Sequence, residues 1–247
     1  MKAFWIAFSM YSRIPMPPFV WEEEDRKKAM CFFPAVGIVI GILFYPAYLL
    51  LKRADPGREL AAALLMALPI VISGGIHMDG YMDTCDALAS YGDREKKLEI
   101  LKDTHTGAFA VLGCVLYFLL YYSACMGLSE KGALITALGF PVSRALSGLL
   151  VSLLPKARKK GMLSDFVEGA DFKRIVCSML LCLIAFGGLM TVFAGWQAVF
   201  LLLILGAFFF FSMRKFKREF GGITGDLSGY FLCVCELFTV IFTAFLD

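Results

Sequence analysis

Residues 73–89 have the sequence SGGIHMDGYMDTCDALA, in which Asp79, Asp83 and Asp86 are four and then three residues apart. On an α-helix these spacings place the three carboxylates on one face, each about one turn from the next. Mg²⁺ prefers oxygen ligands and takes part of its coordination from substrate phosphate. Because a divalent cation would remove the repulsion between the carboxylates, the stretch predicts a Mg²⁺ site with all three as ligands. The alternative is that the three carboxylates form a solvent-exposed acidic face of the helix and bind no metal.

The composition predicts a membrane protein. Of 247 residues, 59% are apolar and 18% are charged, whereas a soluble domain has about 25% charged residues. Several apolar runs approach the roughly 20 residues that span a bilayer. We expect an all-α, polytopic helical integral membrane protein with a single domain over residues 1–247. An apolar run over 60–72 leads directly into the aspartates, which places them where a membrane helix meets water.

The apolar runs predict seven transmembrane helices, over about 30–51, 59–77, 107–126, 132–154, two within 175–213, and 228–246. The run 175–213 is too long for one helix, and we expect a break at Gly195. Residues 1–19 predict an interfacial helix, and 21–28 a charged loop. The polar stretch over 80–107 predicts two short helices broken at Tyr91–Gly92, with Asp93 capping the second.

The basic residues divide unevenly between the two ends of the predicted bundle. The segments 1–28, 94–102, 156–174 and 214–218 carry 19 Lys and Arg, and the alternate loops carry four. The positive-inside rule therefore predicts a multi-pass protein of the cytoplasmic (inner) membrane, with its active site facing the cytoplasm. The basic residues form no aromatic-lined face, so we expect no nucleic-acid partner. Oligomeric state is left open.

The chain resembles the cobalamin synthase family, the adenosylcobinamide-GDP ribazoletransferases. The resemblance covers nearly the whole length and rests most on GGIHMDGYMDTCDAL at 74–88. Further matches are SRIP at 12–15, FFPAVGIVIG at 32–41, LEILKDTHTGAFAVL at 98–112, Arg144, GGITGD at 221–226 and CEL at 235–237. It implies a late step of cobalamin biosynthesis, in which a ribose hydroxyl of α-ribazole, or of its 5′-phosphate, attacks the cobinamide-linked phosphorus of adenosylcobinamide-GDP and GMP leaves. Mg²⁺ is the implied cofactor.

Further residues are assigned to this chemistry. Asp103 is a candidate base or additional metal ligand, and His77 a candidate proton acceptor or a structural hydrogen-bonding group. Lys102 is a candidate phosphate contact or an interfacial lysine. The glycines of GGITGD would let backbone N–H groups approach phosphate, and Asp226 would cap the last helix or join the metal site. The substrate-binding candidates are Lys102, Arg144, Gly221, Gly222, Thr224 and Asp226.

Two positions depart from the family pattern. Ala87 follows Asp86 where the family usually has Gly, and His105 stands where the family usually has Arg. Loss of that Arg would remove a bidentate phosphate contact.

Arg144 and Glu236 are ionisable residues inside predicted membrane helices, at similar depths of about 15 Å. Such residues usually face a partner or a cavity. We predict a buried ion pair between them, and the alternative is that Arg144 contacts substrate phosphate.

Two other functions compete. A CDP-alcohol phosphatidyltransferase-like enzyme also uses spaced aspartates and a metal, but the Ala-Arg pair that its motif needs is missing. An ion-coupled transporter would place its acidic residues at mid-membrane, often in repeated halves.

Overall fold

The computed structural model describes residues 2–158, 169 and 171–246, and its regular structure is helical. The helices are α1 (Lys2–Tyr11), α2 (Glu23–Ala29), α3 (Phe33–Ala54), α4 (Arg58–Ser73), α5 (Ile76–Ala89), α6 (Arg94–Ile100), α7 (Ala108–Met126), α8 (Glu130–Leu153), α9 (Phe172–Glu219) and α10 (Gly225–Thr243). A 3₁₀ turn, Met30–Phe32, joins α2 to α3. The prediction of a charged loop over 21–28 was wrong, because residues 23–29 form helix α2. The ion pairs Glu23–Lys27 and Glu24–Lys28 each join residues one turn apart and stabilise this helix.

Helix α8 forms the centre of the bundle, and all of its residues from 139 to 151 are buried. Glycines allow α3 to lie directly against it. A Cβ atom at Gly37 would lie 2.6 Å from the carbonyl oxygen of Phe140, and one at Gly41 would overlap the carbonyl oxygen of Ala137. The glycines four residues apart in α3 are therefore a helix-packing surface.

Helix α9 is divided at the predicted position. Gly195 has φ 56° and ψ −135°, which interrupts the helical backbone. A Cβ atom at Gly187 would lie 3.4 Å from Leu202, so the two segments fold back on each other. Five helices of the described residues are long and apolar enough to span a membrane, and the bent pair α4–α5 makes a sixth. Counting α9 as two segments gives seven spans, in agreement with the predicted polytopic all-α fold.

The span predicted over 59–77 is broken. Helix α4 ends at Ser73, and α5 begins at Ile76 and runs at 96° to it. Gly74 and Gly75 form the corner between the helices. Their φ values of +67° and +77° are rarely adopted by residues other than glycine. Helix α5 then packs along α10 and α7, so the aspartates lie against two other helices.

The candidate loops meet at one end of the bundle. The Pro155 segment pairs with the GGITGD loop, where Ala157 N–H donates to Ile223 O (3.0 Å) and Ile223 N–H to Pro155 O (2.8 Å). At the other end, Tyr48 Oη donates to Leu128 O, and Lys52 pairs with Glu130. The Pro155 segment and the GGITGD loop thus lie together, and so do the turns at 52–58 and 127–131, as the predicted division of these loops requires.

Candidate active site

Asp79, Asp83 and Asp86 all lie in α5, as their spacing predicts. Asp79 is exposed, whereas Asp83 and Asp86 are half-buried. Asp83 interacts electrostatically with both neighbours in α5 and with Asp226 of α10. The structure therefore adds a fourth carboxylate to the three in α5.

Gly80 brings Asp226 to α5. A Cβ atom at Gly80 would lie 2.8 Å from the Cα atom of Asp226, so only glycine allows the two helices to approach this closely. Thr224 accepts a hydrogen bond from Leu227 N–H and caps α10. Its hydroxyl also donates to Asp226 Oδ2 at 3.3 Å. Thr224, and not Asp226, therefore caps α10. Asp226 interacts electrostatically with Asp79 and Asp83 of α5.

Arg158 places a positive charge beside this cluster. Its Nη1 atom lies 3.8 Å from Asp226 Oδ2, and it also interacts electrostatically with Asp83. Its Nη2 donates to the carbonyl oxygen of Leu98 at 2.9 Å, which fixes the guanidinium between α6 and the site. Sequence reasoning counted Arg158 only among the basic loop residues. Arg158 reaches the site because its segment pairs with the GGITGD loop, and the sequence gives no indication of this pairing.

Asp86 has a second role at the start of α7. Its Oδ2 accepts from Gly107 N–H at 2.7 Å, and its Oδ1 from Ala110 N–H at 2.9 Å. These are first-turn donors of a helix, which have no partners within the helix itself. Asp86 therefore caps α7 from another helix, and its two oxygens are less free for a metal than those of Asp79 and Asp83.

Asp103 lies in the loop that precedes α7. It accepts hydrogen bonds from the backbone N–H of His105 (3.0 Å) and contacts the His105 ring at Nδ1 (2.7 Å). These bonds hold the pKa of Asp103 below its usual range. Both residues line a cavity of about 410 Å³ that also contains Asp86 and Gly107. Lys102 is exposed in the same loop.

His77 and Arg144 lie deeper in the bundle. The His77 ring is buried against Tyr11 and Phe33, and among the described residues its Nε2 has no hydrogen-bond partner. The predicted ion pair is present, because Arg144 Nη1 contacts Glu236 Oε1. The side chain of Arg144 is 1% exposed, which supports the structural alternative over a contact with substrate.

Two glycines of GGITGD are in close contact with neighbouring segments. A Cβ atom at Gly222 would overlap the carbonyl oxygen of Pro155, and one at Gly221 would overlap the guanidinium of Arg94. The N–H of Gly222 donates to Phe216 O at 3.3 Å. The loop's glycines thus let neighbouring groups approach its backbone.

Comparison with known proteins gives one family. A family model described as cobalamin-5-phosphate synthase matches residues 3–244. The chain belongs to this family. It is 44% identical over 238 residues to the adenosylcobinamide-GDP ribazoletransferase of Lachnoclostridium phytofermentans, covering 96% of this chain and 91% of the relative. It is 33% identical over 254 residues to the enzyme of the same name from Pseudomonas savastanoi pv. phaseolicola, covering 100% of both. The family predicted from the sequence is confirmed.

A third relative of that name, from Clostridium botulinum strain Alaska E43, is 32% identical over 241 residues, with 96% and 94% of the two chains covered. No solved structure matches the chain.

The donor set of the cluster suits Mg²⁺. Asp79, Asp83 and Asp226 offer carboxylate oxygens and interact electrostatically with one another. Among the described residues, no three Asp, Glu, His or Cys side chains form a ready-made metal cage. Mg²⁺ is commonly held by one or two carboxylates together with substrate phosphates, so an incomplete set of protein ligands is the expected arrangement for this ion.

Proposed function

We propose that this chain transfers the cobinamide phosphate of adenosylcobinamide-GDP to α-ribazole or its 5′-phosphate, with Mg²⁺ held at the cluster of Asp79, Asp83 and Asp226. The observation that carries the proposal is the convergence of these carboxylates with Arg158 at one end of a membrane bundle. Family membership and the names of the relatives support the ribazoletransferase activity over the two competing functions.

The reaction exchanges one bond to phosphorus for another. A hydroxyl oxygen of the acceptor forms a bond to the cobinamide-linked phosphorus, and the bond from that phosphorus to the bridging oxygen breaks. GMP leaves with the bonding electron pair, and the hydroxyl proton passes to a base. When bound, Mg²⁺ would neutralise charge on the bridging and leaving oxygens.

The chain's own residues position these groups. Asp79, Asp83 and Asp226 would hold the ion, and Gly80 keeps Asp226 next to α5. Arg158 supplies a fixed positive charge beside them, which suits a pyrophosphate donor. Asp86 keeps the start of α7 against α5 through its two backbone hydrogen bonds.

The cavity beside Asp86 is the proposed acceptor site. Its volume of about 410 Å³ lies within the range of small-molecule pockets. We assign the Asp103–His105 pair to accept the hydroxyl proton, with the His105 ring as the acceptor and Asp103 holding that ring at Nδ1, because both line this cavity. We assign no proton transfer to His77, because its ring is buried against aromatic side chains.

The basic end of the bundle is proposed to face the cytoplasm, so that soluble substrates would reach the site from there. The protein would work in the cytoplasmic membrane.

The test is release of GMP from adenosylcobinamide-GDP by the purified protein in detergent or lipid nanodiscs. We expect release that depends on α-ribazole or its phosphate. A CDP-alcohol donor with an alcohol acceptor is the matched control and should give no CMP. Turnover of that donor, or GMP release that does not depend on the acceptor, would contradict the proposal.

A further inference from the structure

Helix α6 carries three cations at 94, 96 and 97, and two of them are paired. Lys96 pairs with Glu99 at 2.9 Å, and Lys97 pairs with Glu219 at the end of α9. Arg94 is exposed and forms no ion pair with any residue that the structure describes. The Lys97–Glu219 pair is largely buried, so it fixes the position of α6 while leaving Arg94 available.

Arg94 lies directly on the GGITGD loop. Its guanidinium occupies the place that a Cβ atom of Gly221 would take, and Gly221 has a φ of +72°. The backbone conformation at this position favours glycine, and the absence of a side chain leaves room for the guanidinium.

Arg158 reaches the same loop from the Pro155 segment. The bridge between Lys156 and Ile223 joins the segment to the loop, and Arg158 Nη2 donates to Leu98 O of α6. Helix α6, the loop and this segment therefore form one unit that carries two guanidinium groups. Arg158 faces the carboxylates, with Asp226 3.8 Å away, whereas Arg94 has no acidic partner there.

This inference rests on the proposed function and names the site of its leaving group. We propose that Arg94, with Arg158, binds the phosphate of the departing GMP on the GGITGD loop. The donor carries two phosphates. The carboxylate cluster would hold the ion that serves the phosphorus under attack. The other phosphate gains charge when the bridging bond breaks and GMP takes the electron pair.

Arginine suits this role because its planar guanidinium forms two parallel hydrogen bonds with phosphate oxygens. Hydrogen-bond donors that are already positioned where negative charge develops stabilise the transition state, because the protein does not have to rearrange during the reaction. Gly221 allows the guanidinium of Arg94 to approach the backbone of the loop that leads to Asp226.

The test measures GMP binding directly, by calorimetry on the full-length protein in detergent, together with GMP inhibition of turnover. We expect Arg94→Gln to weaken GMP binding by about tenfold or more, since it removes charge-assisted hydrogen bonds to the phosphate. Arg94→Lys should retain part of the affinity. The KM for α-ribazole and the Tm should stay at their wild-type values.

Lys96→Gln is the matched control, because it removes the same charge from the same helix two residues away. It should leave GMP binding unchanged. Gly221→Ala, which displaces the guanidinium, should weaken GMP binding, and it should cause little additional loss when Arg94 is already Gln.

Wild-type affinity for GMP in Arg94→Gln, an equal loss in Lys96→Gln, or no GMP binding by the wild type would overturn the inference. Because GMP binding is measured without turnover, the binding result does not depend on whether the proposed function is correct. A protein that binds GMP through Arg94 but does not turn over the donor would uphold the inference and contradict the function.

Discussion

Arg144 of α8 and Glu236 of α10 form an ion pair in the centre of the bundle. Their side chains are 1% and 7% exposed. The Arg144 guanidinium also donates to Phe140 O at 3.0 Å and to Ser143 Oγ at 3.1 Å. Because a buried charge without a partner is costly, this pair links the two helices below the candidate active site.

Removal of one partner should therefore be more harmful than removal of both. Arg144→Met leaves Glu236 unpaired, and we expect a loss of about 3–5 kcal/mol in the free energy of unfolding. Adding Glu236→Leu should restore part of it. Folded yield and Tm in detergent measure both effects. If Arg144→Met keeps its wild-type Tm but loses turnover, Arg144 contacts substrate and the structural role is wrong.

Asp86 should differ from Asp83 in its effect on stability. Asp86→Ala removes the two acceptors that cap α7, and loss of a helix cap costs about 1–2 kcal/mol. We expect a lower Tm for Asp86→Ala and a smaller change for Asp83→Ala, because Asp83 has no such role. Thermal unfolding of the two variants without substrate gives the comparison. An unchanged Tm in Asp86→Ala would show that the capping bonds contribute little.

Gly80→Ala should separate α5 from α10. The new Cβ atom would meet backbone atoms of Asp226, which cannot move aside as a flexible side chain could. Overpacking of this kind costs about 1–3 kcal/mol, and we expect turnover to fall because Asp226 moves away from Asp83. Gly206→Ala is the matched control, since a Cβ atom there meets nothing within 4 Å. Equal turnover of the two variants would contradict the close approach at Gly80.

Labelling of single cysteines should give opposite sides for the two ends of the bundle. In a variant without the eight native cysteines, Lys173→Cys should react only from the cytoplasm and Arg53→Cys only from outside. Both positions are exposed. A membrane-impermeant maleimide, added to intact cells or to inverted vesicles, distinguishes them. Reaction of both from the same side would contradict the predicted topology.

The sequence predicted the elements whose signals are local. Three aspartates at helical spacing predicted one face of a helix, and Gly195 predicted the division of α9. Asp93 was predicted to cap α6, and its Oδ1 accepts from Lys96 N–H at 2.9 Å. The Arg144–Glu236 pair could also be predicted, because two ionisable residues at matched depth in apolar helices need a partner.

What the sequence could not predict depends on contacts between distant segments. The position of Arg158 follows from backbone pairing between the Pro155 segment and Ile223, for which no residue pattern gives a signal. The capping role of Asp86 requires the start of α7 to lie against α5. Residues 159–168 of the predicted basic loop lie outside the described residues.

The most direct test of the acidic cluster is the Mg²⁺ dependence of GMP release in wild type, Asp83→Asn and Asp55→Asn. Asp55 lies at the other end of the bundle with a φ of 46°, a conformation that Asn tolerates. We expect Mg²⁺-dependent release by wild type and Asp55→Asn, and a loss of release by Asp83→Asn with its Tm retained. Full release by wild type in EDTA, or wild-type release by Asp83→Asn at limiting Mg²⁺, would contradict the account.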